Sequence, residues 1–161
     1  MTLIIRPFTE AQAEAVAGWT YEAPFDLYNG DPTDPGQFLV HDKAGFGYYA
    51  LADEGPDGNV VGFCCFGPEA RVPPQVEDEG VLDVGGGLRP DLVSQGLATA
   101  VFPAILDFGR QGWSPVRFRA AVASFNERSL RLCRSAGFEV GSMFTSRTGL
   151  EFLELLRSAD E

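Results

Sequence analysis

Three β-rich segments follow one another with no helix pattern between them: "GFGYYALADE", "NVVGFCCFG" and "VLDVGGGL". Their density of Val, Tyr and Phe favours extended chain. "GPDGN", between the first two, has the residues of a hairpin turn. A doubly wound parallel sheet needs a crossover helix between successive strands. Three strands in a row therefore exclude it. Helix patterns flank the trio instead. "TEAQAEAVAGWT" precedes it, after a first strand "TLIIRPF". Behind it, from Gly96 to Arg110, Leu97, Val101, Ile105 and Phe108 recur at helical spacing. "PVRFRAAVA" then reads as a strand, "SFNERSLRLCRSAGF" as a helix, and "FEVGSMFTS" and "EFLELLR" as two closing strands. This order gives a mixed α+β fold. The 161 residues are enough for one domain, 1–161, with a sizeable core.

Local signals place the ends of these elements. Thr9 with Gln12, and Ser124 with Glu127, have capping-box spacing, and Gly137 is a helix stop. Pro103 falls inside the long helix and is expected to kink it or to remove a hydrogen bond. "YEAPFDLYNGDPTDPG" reads as loop or short helix, and "EARVPPQVEDEG" as an exposed acidic loop.

Charge and cysteine usage exclude several functions. The net charge is −11, which disfavours nucleic acid and anionic membranes as partners. It suits a cationic or amine-bearing partner, but net charge speaks to solubility before it speaks to function. The neighbouring pair Cys64 and Cys65, with Cys133, does not make a disulfide framework. A single histidine, His41, argues against a histidine-based metal site or a Ser/His triad, so no metal is expected. There is no run of eighteen apolar residues, and "MTLIIRPF" lacks a basic signal-peptide start. The expected location is the cytoplasm. Oligomeric state is not legible, and a homodimer is compatible with the sequence.

The glycine-rich stretch "DVGGGLRPDLVSQGLATA" tests two nucleotide signatures and fails both. From Gly85, the last position of G-x-G-x-x-G falls on Pro90, which has no amide to give a phosphate. No G-K-[ST] follows for a P-loop. The later half is more informative. A strand end turns through Val93, Ser94, Gln95, Gly96 and Leu97 into a helix, leaving N–H groups free at the positive end of the helix dipole. That is an anion site. A plain helix start with a glycine near its cap is the bland reading of the same residues.

Here the residues resemble a known family. "LRPDLVSQGLA" resembles the strand end and [RQ]-x-x-G-x-[GA] loop of the GNAT N-acetyltransferases, and "NERSLRLCRSAGF" resembles their later helix. A helix and a strand separate the two, as in that family. The resemblance implies a mixed, mostly antiparallel sheet of six to seven strands with helices on both faces. It implies acetyl-CoA as cofactor, with the pyrophosphate on Val93, Ser94, Gln95, Gly96, Leu97 and Ala98, the pantetheine arm beside Leu88, and a contact from Asn126. Two departures stand out. Val93 replaces the usual Arg or Gln, and Cys133 falls where the family has a tyrosine general acid.

Amide formation needs a neutral amine and a proton returned to sulfur. Asp83, five residues before Leu88, is the candidate base, with a strand aspartate facing solvent as the alternative. Glu77, Asp78 and Glu79 belong to an acidic run that reads as solvated loop. Cys133 is either the acid or a small core residue on its helix. Asn126 either caps its helix or, if Ser124 caps, is free to reach a ligand. Trp19, Tyr21, Phe25 and Tyr28 cluster where the family roofs its acceptor pocket, and Asp26 could pair with an acceptor amine. The same aromatics could equally pin down a loop. Gly85, Gly86 and Gly87 loosen a strand, for a bulge or for close approach of the pantetheine arm. The expected activity is transfer of an acetyl group to a primary amine, of a small molecule or a peptide, within a ternary complex. A non-catalytic acyl-CoA-binding or sensor domain on the same fold is the alternative.

Overall fold

The computed structural model describes residues 2–160. Its strands are β1 (Leu3–Arg6), β2 (Gly47–Asp53), β3 (Val60–Phe66), β4 (Val81–Leu88), β5 (Arg117–Ala123), β6 (Glu139–Thr145) and β7 (Glu151–Ser158). The helices are α1 (Glu10–Ala17), α2 (Leu97–Trp113) and α3 (Glu127–Ser135). The seven strands run in the order β1-β2-β3-β4-β5-β7-β6. β4 and β5 are parallel, while β1 with β2, β5 with β7 and β6 with β7 are antiparallel. The mixed α+β sheet read from the element order is therefore present. The residues group into two compact units, one of positions 1–65 and 86–95, the other of 66–85 and 96–161.

In the first unit, α1 starts on the expected capping box. Gln12 N–H donates to Thr9 Oγ1, and Thr9 N–H donates to Gln12 Oε1. Small side chains make the core here. Ala13, Ala17, Ala50 and Ala52 are nearly inaccessible, and Phe8 and Phe38 fill the space beside them. The loop between α1 and β2 contains two 3-10 turns, Phe25–Tyr28 and Pro35–Phe38. Asp53 N–H donates to Asn59 O across the 54–58 turn, closing the predicted hairpin.

The glycine run has a packing cause. A methyl group on Gly86 would lie 2.6 Å from the Phe63 carbonyl oxygen, and one on Gly87 would lie 3.0 Å from the Phe63 ring. Contact that close has to move something, so β4 is bare at these positions because β3 already fills the space.

In the second unit, α2 buries Val101, Ile105, Leu106 and Gly109. It runs without interruption past Pro103, which sits on the exposed side. At Gly109 the helix backbone approaches Phe66, Leu82 and Phe118. α3 ends as expected, with Phe138 N–H donating back to Cys133 O. Its start differs from the sequence reading. The Ser124–Glu127 box does not form, because Ser124 N–H and Oγ both donate to Glu151 O. Asn126 caps α3 instead, its Oδ1 accepting from Ser129 N–H. β6 ends the sheet as its last strand, largely exposed, with a register shift between Val140 and Ser142.

Candidate functional site

The turn between β4 and α2 was expected to hold a phosphate. Two of its residues are left-handed: Ser94 at φ +66° and Gly96 at φ +81°. Glycine meets that geometry without the strain a Cβ brings. A methyl group at Gly96 would meet nothing within 4 Å, so the turn is open on that side. Gly96 is also the N-cap of α2, and no side chain caps it. Gln95 does not take that role, since its Nε2 donates to Asp91 O. The first turn of α2 has no acidic residue. A helix start without a side-chain cap leaves main-chain N–H groups without intrahelical partners at the positive end of the helix dipole. These residues fit an anion.

Asp83 has other partners. It is 2% exposed and forms the centre of an ion-pair cluster. Arg119 donates through Nε to Oδ1 and through Nη2 to Oδ2, and Arg71 Nε adds a bond of 2.9 Å to Oδ2. Arg119 lies opposite Asp83 in the parallel β4–β5 ladder, which makes the two meet. Its Nη2 also donates to Val76 O, at 2.7 Å, and its Nη1 lies 3.8 Å from Glu154 Oε2. Gln75 Nε2 donates to the same Glu154 oxygen at 2.9 Å. Burial alone would lower the Arg119 guanidinium. The hydrogen bond and charge of Asp83, with Glu154 and Asp78 behind them, reverse this and raise it. Both carboxylate oxygens of Asp83 are thus engaged by cationic donors. The cluster ties the acidic loop 71–79 to three strands. The sequence reading missed Arg71, Gln75, Arg119 and Glu154. The available signal was Arg119 itself, a charge inside the otherwise apolar "FRAAVA", which had to find a carboxylate.

Three of the four aromatic candidates come together. Trp19, Tyr21 and Tyr28 line one recess of about 150 Å³, with Phe38, Tyr48 and Phe63. Phe25 is not part of the lining, and Asp26 is exposed outside it. Tyr21 fixes the loop: its hydroxyl donates to Leu88 O at 2.7 Å, and its N–H to Asn29 Oδ1 at 2.7 Å. Burial pushes the Tyr21 phenol up to about 12, so the hydroxyl keeps the proton that this bond needs. Leu88, expected beside the pantetheine arm, is thereby tied to the rim of the recess.

Residues 2–139 match the family described as Acetyltransferase (GNAT) domain. The chain belongs to the GNAT acetyltransferases. Solved structures agree in fold. An acetyltransferase (GNAT family) from Bacillus anthracis is 19% identical, with a TM-score of 0.76 over 100% of this chain and 97% of that one. The aminoglycoside acetyltransferase AAC(6')-Ib in complex with coenzyme A is 15% identical, with a TM-score of 0.74 over 98% and 95%. A spermidine N-acetyltransferase SpeG chimera from Vibrio cholerae and hSSAT is 12% identical, with a TM-score of 0.73 over 99% and 97%. No curated protein matches.

Within this GNAT chain the other candidates have structural work. Asn126 is buried and caps α3, so the condition that would have freed it is not met. Cys133 is 5% exposed among core residues, and burial pushes its thiol up to about 12. Cys64 is inaccessible in β3, its thiol also raised by burial. Glu77, Asp78 and Glu79 are exposed, as the loop reading had it. Among the described residues no cluster of metal-ligating side chains occurs, and no helix is long and apolar enough to cross a membrane.

Proposed function

We propose that this GNAT protein transfers an acetyl group from acetyl-CoA to the amine of a small molecule or peptide, with the acceptor entering the aromatic recess. The left-handed Ser94 and Gly96 ahead of an uncapped α2 carry this reading. Acetyl-CoA supplies the acyl group already activated as a thioester. The main chain of Val93 to Ala98 would hold its pyrophosphate, and the strand end at Leu88 would run beside its pantetheine arm. Similar structures holding coenzyme A, or acetyl-CoA with paromomycin, support the assignment of cofactor and of an amine acceptor.

Position does most of the chemistry in this proposal. Asp83 has both oxygens engaged by guanidinium donors, so we give it a positioning role, holding the loop 71–79 on β4. Cys133 holds its proton up to about 12. An ordinary thiol loses its proton near 8.5, so passing a proton from Cys133 to a departing thiolate runs uphill. The acceptor amine then loses its proton to water, and as the thioester C–S bond breaks the CoA thiolate departs and takes a proton from water. Holding the two reactants together supplies the rate, since well-oriented groups reach effective concentrations on the order of 10⁵ M or more.

The test is a paired one. Gly96→Glu places bulk and negative charge in the phosphate turn, and is expected to abolish the thermal stabilisation that acetyl-CoA gives the parent protein. Thiol release from acetyl-CoA with a panel of amines then identifies the acceptor. Unchanged acetyl-CoA affinity in Gly96→Glu removes the cofactor site from this turn.

A further inference from the structure

The recess in the first unit is walled by rings and carries no charge of its own. Beyond its six aromatics, the lining is Val16, Gly30 and two neutral amides, Asn29 and Gln37. Phe38, Tyr48 and Phe63 do not stack flat. Their centroids lie 4.9, 5.9 and 6.2 Å apart and their planes are inclined by 61–64°, so they form corners rather than a layer. Trp19 continues the wall, 6.4 Å from Phe63. The face of an aromatic ring is electronegative and attracts a cation that has shed its water.

The stretch of sequence that supplies most of the lining is one-sidedly acidic. Between Arg6 and Lys43 there is no lysine or arginine, while Glu10, Glu14, Glu22, Asp26, Asp31, Asp34 and Asp42 all fall there. Asp26, Asp31 and Asp34 are exposed on the same loop as Trp19, Tyr21 and Tyr28. An anion is repelled by this surface. A bare inorganic cation finds no carboxylate in the lining to replace its water. A cation wearing alkyl groups meets both conditions, attracted by the acidic loop and desolvated at little cost among the rings. The volume of about 150 Å³ is that of a single small group, about the size of a benzene ring.

We propose that the recess binds an organic cation of the alkylammonium or trimethylammonium type, so that the acceptor carries a cationic centre besides the nitrogen that is acetylated. The nitrogen that attacks has to be neutral, and an electronegative wall of rings favours the charged form. The group held in the recess is therefore a different one. Calling it part of the acceptor rests on the acetyl-transfer reading above, while its binding does not.

Calorimetric titration of the full chain with choline tests this directly. Its uncharged counterpart 3,3-dimethylbutan-1-ol has the same shape, and sodium chloride at equal ionic strength controls for general attraction to an acidic protein. Choline is expected to bind about tenfold or more tightly than the alcohol, as one desolvated cation–ring contact allows. The same preference is expected to fall in Trp19→Leu and, in a second variant, Tyr28→Leu. Equal binding of choline and the alcohol would make the recess a plain apolar pocket and overturn the proposal. So would choline binding that both variants leave unchanged, or no binding of either probe. Titration with acetyl-CoA in the same instrument reports on the cofactor turn separately, so loss of one reading is distinguishable from loss of the other.

Discussion

At the scale of single residues, Asp83 and Cys133 show how burial decides a role. Removing one partner of a buried ion pair leaves the other charged and unpaired, which costs about 3–5 kcal/mol. Asp83→Asn takes the shared counter-charge from Arg119 and Arg71, leaving Arg119 only the more distant Glu154 at 3.8 Å. It is expected to lower the thermal midpoint markedly while the folded fraction keeps its affinity for acetyl-CoA. Calorimetric unfolding with a parallel acetyl-CoA titration checks both halves, and an unchanged midpoint would contradict the cluster's role. Cys133 gives a pH dependence. Burial raises its folded thiol to about 12, so the folded state holds the proton more tightly than the unfolded chain does. The stability tied to this is complete below about 9 and is lost as pH rises toward 12. Denaturant midpoints measured between pH 7 and 11 should fall above pH 9, and fall less in Cys133→Ala. Sequence reading found both residues but not their surroundings. Alternation along a strand does not say which carboxylate faces a guanidinium 36 positions away, as Arg119 is from Asp83.

At the scale of elements, α3 separates two caps that look alike in the sequence. Ser124 and Asn126 both precede the helix at plausible spacing, and the difference is made by β7. Glu151 O draws Ser124 into the neighbouring pairing, which leaves Asn126 to start the turn. Asn126→Ala is expected to destabilise the protein by about 1 kcal/mol, and Ser124→Ala by clearly less. Chemical denaturation of the two variants reads the difference, and equal losses would refute the assignment. The order and ends of the elements were legible because periodicity and caps act locally, as at Thr9 with Gln12. The cause of the bare positions Gly86 and Gly87 was not legible. The ring they accommodate, Phe63, lies on another strand, and its approach to β4 is a tertiary fact.

At the scale of the whole molecule, the charge of −11 sets how the two substrates arrive. Attraction between exposed charges is screened within about 10 Å at 0.1 M salt. For a cationic acceptor, KM is expected to rise several-fold between roughly 20 and 300 mM salt, while KM for the anionic acetyl-CoA stays level or falls. Steady-state kinetics across that range check this, and parallel shifts in both constants would count against a charge-selected acceptor. A different consequence follows from the register shift in β6. A strand at the end of a sheet offers open N–H and C=O groups to any passing chain, and β6 also exposes Val140 and Met143. The irregularity between Val140 and Ser142 spoils that template. Deleting Gly141 to straighten the strand should therefore leave the fold but cost solubility, with light scattering that grows with concentration where the parent protein stays clear. The bulge would then be what keeps many copies of this molecule apart in a crowded solution.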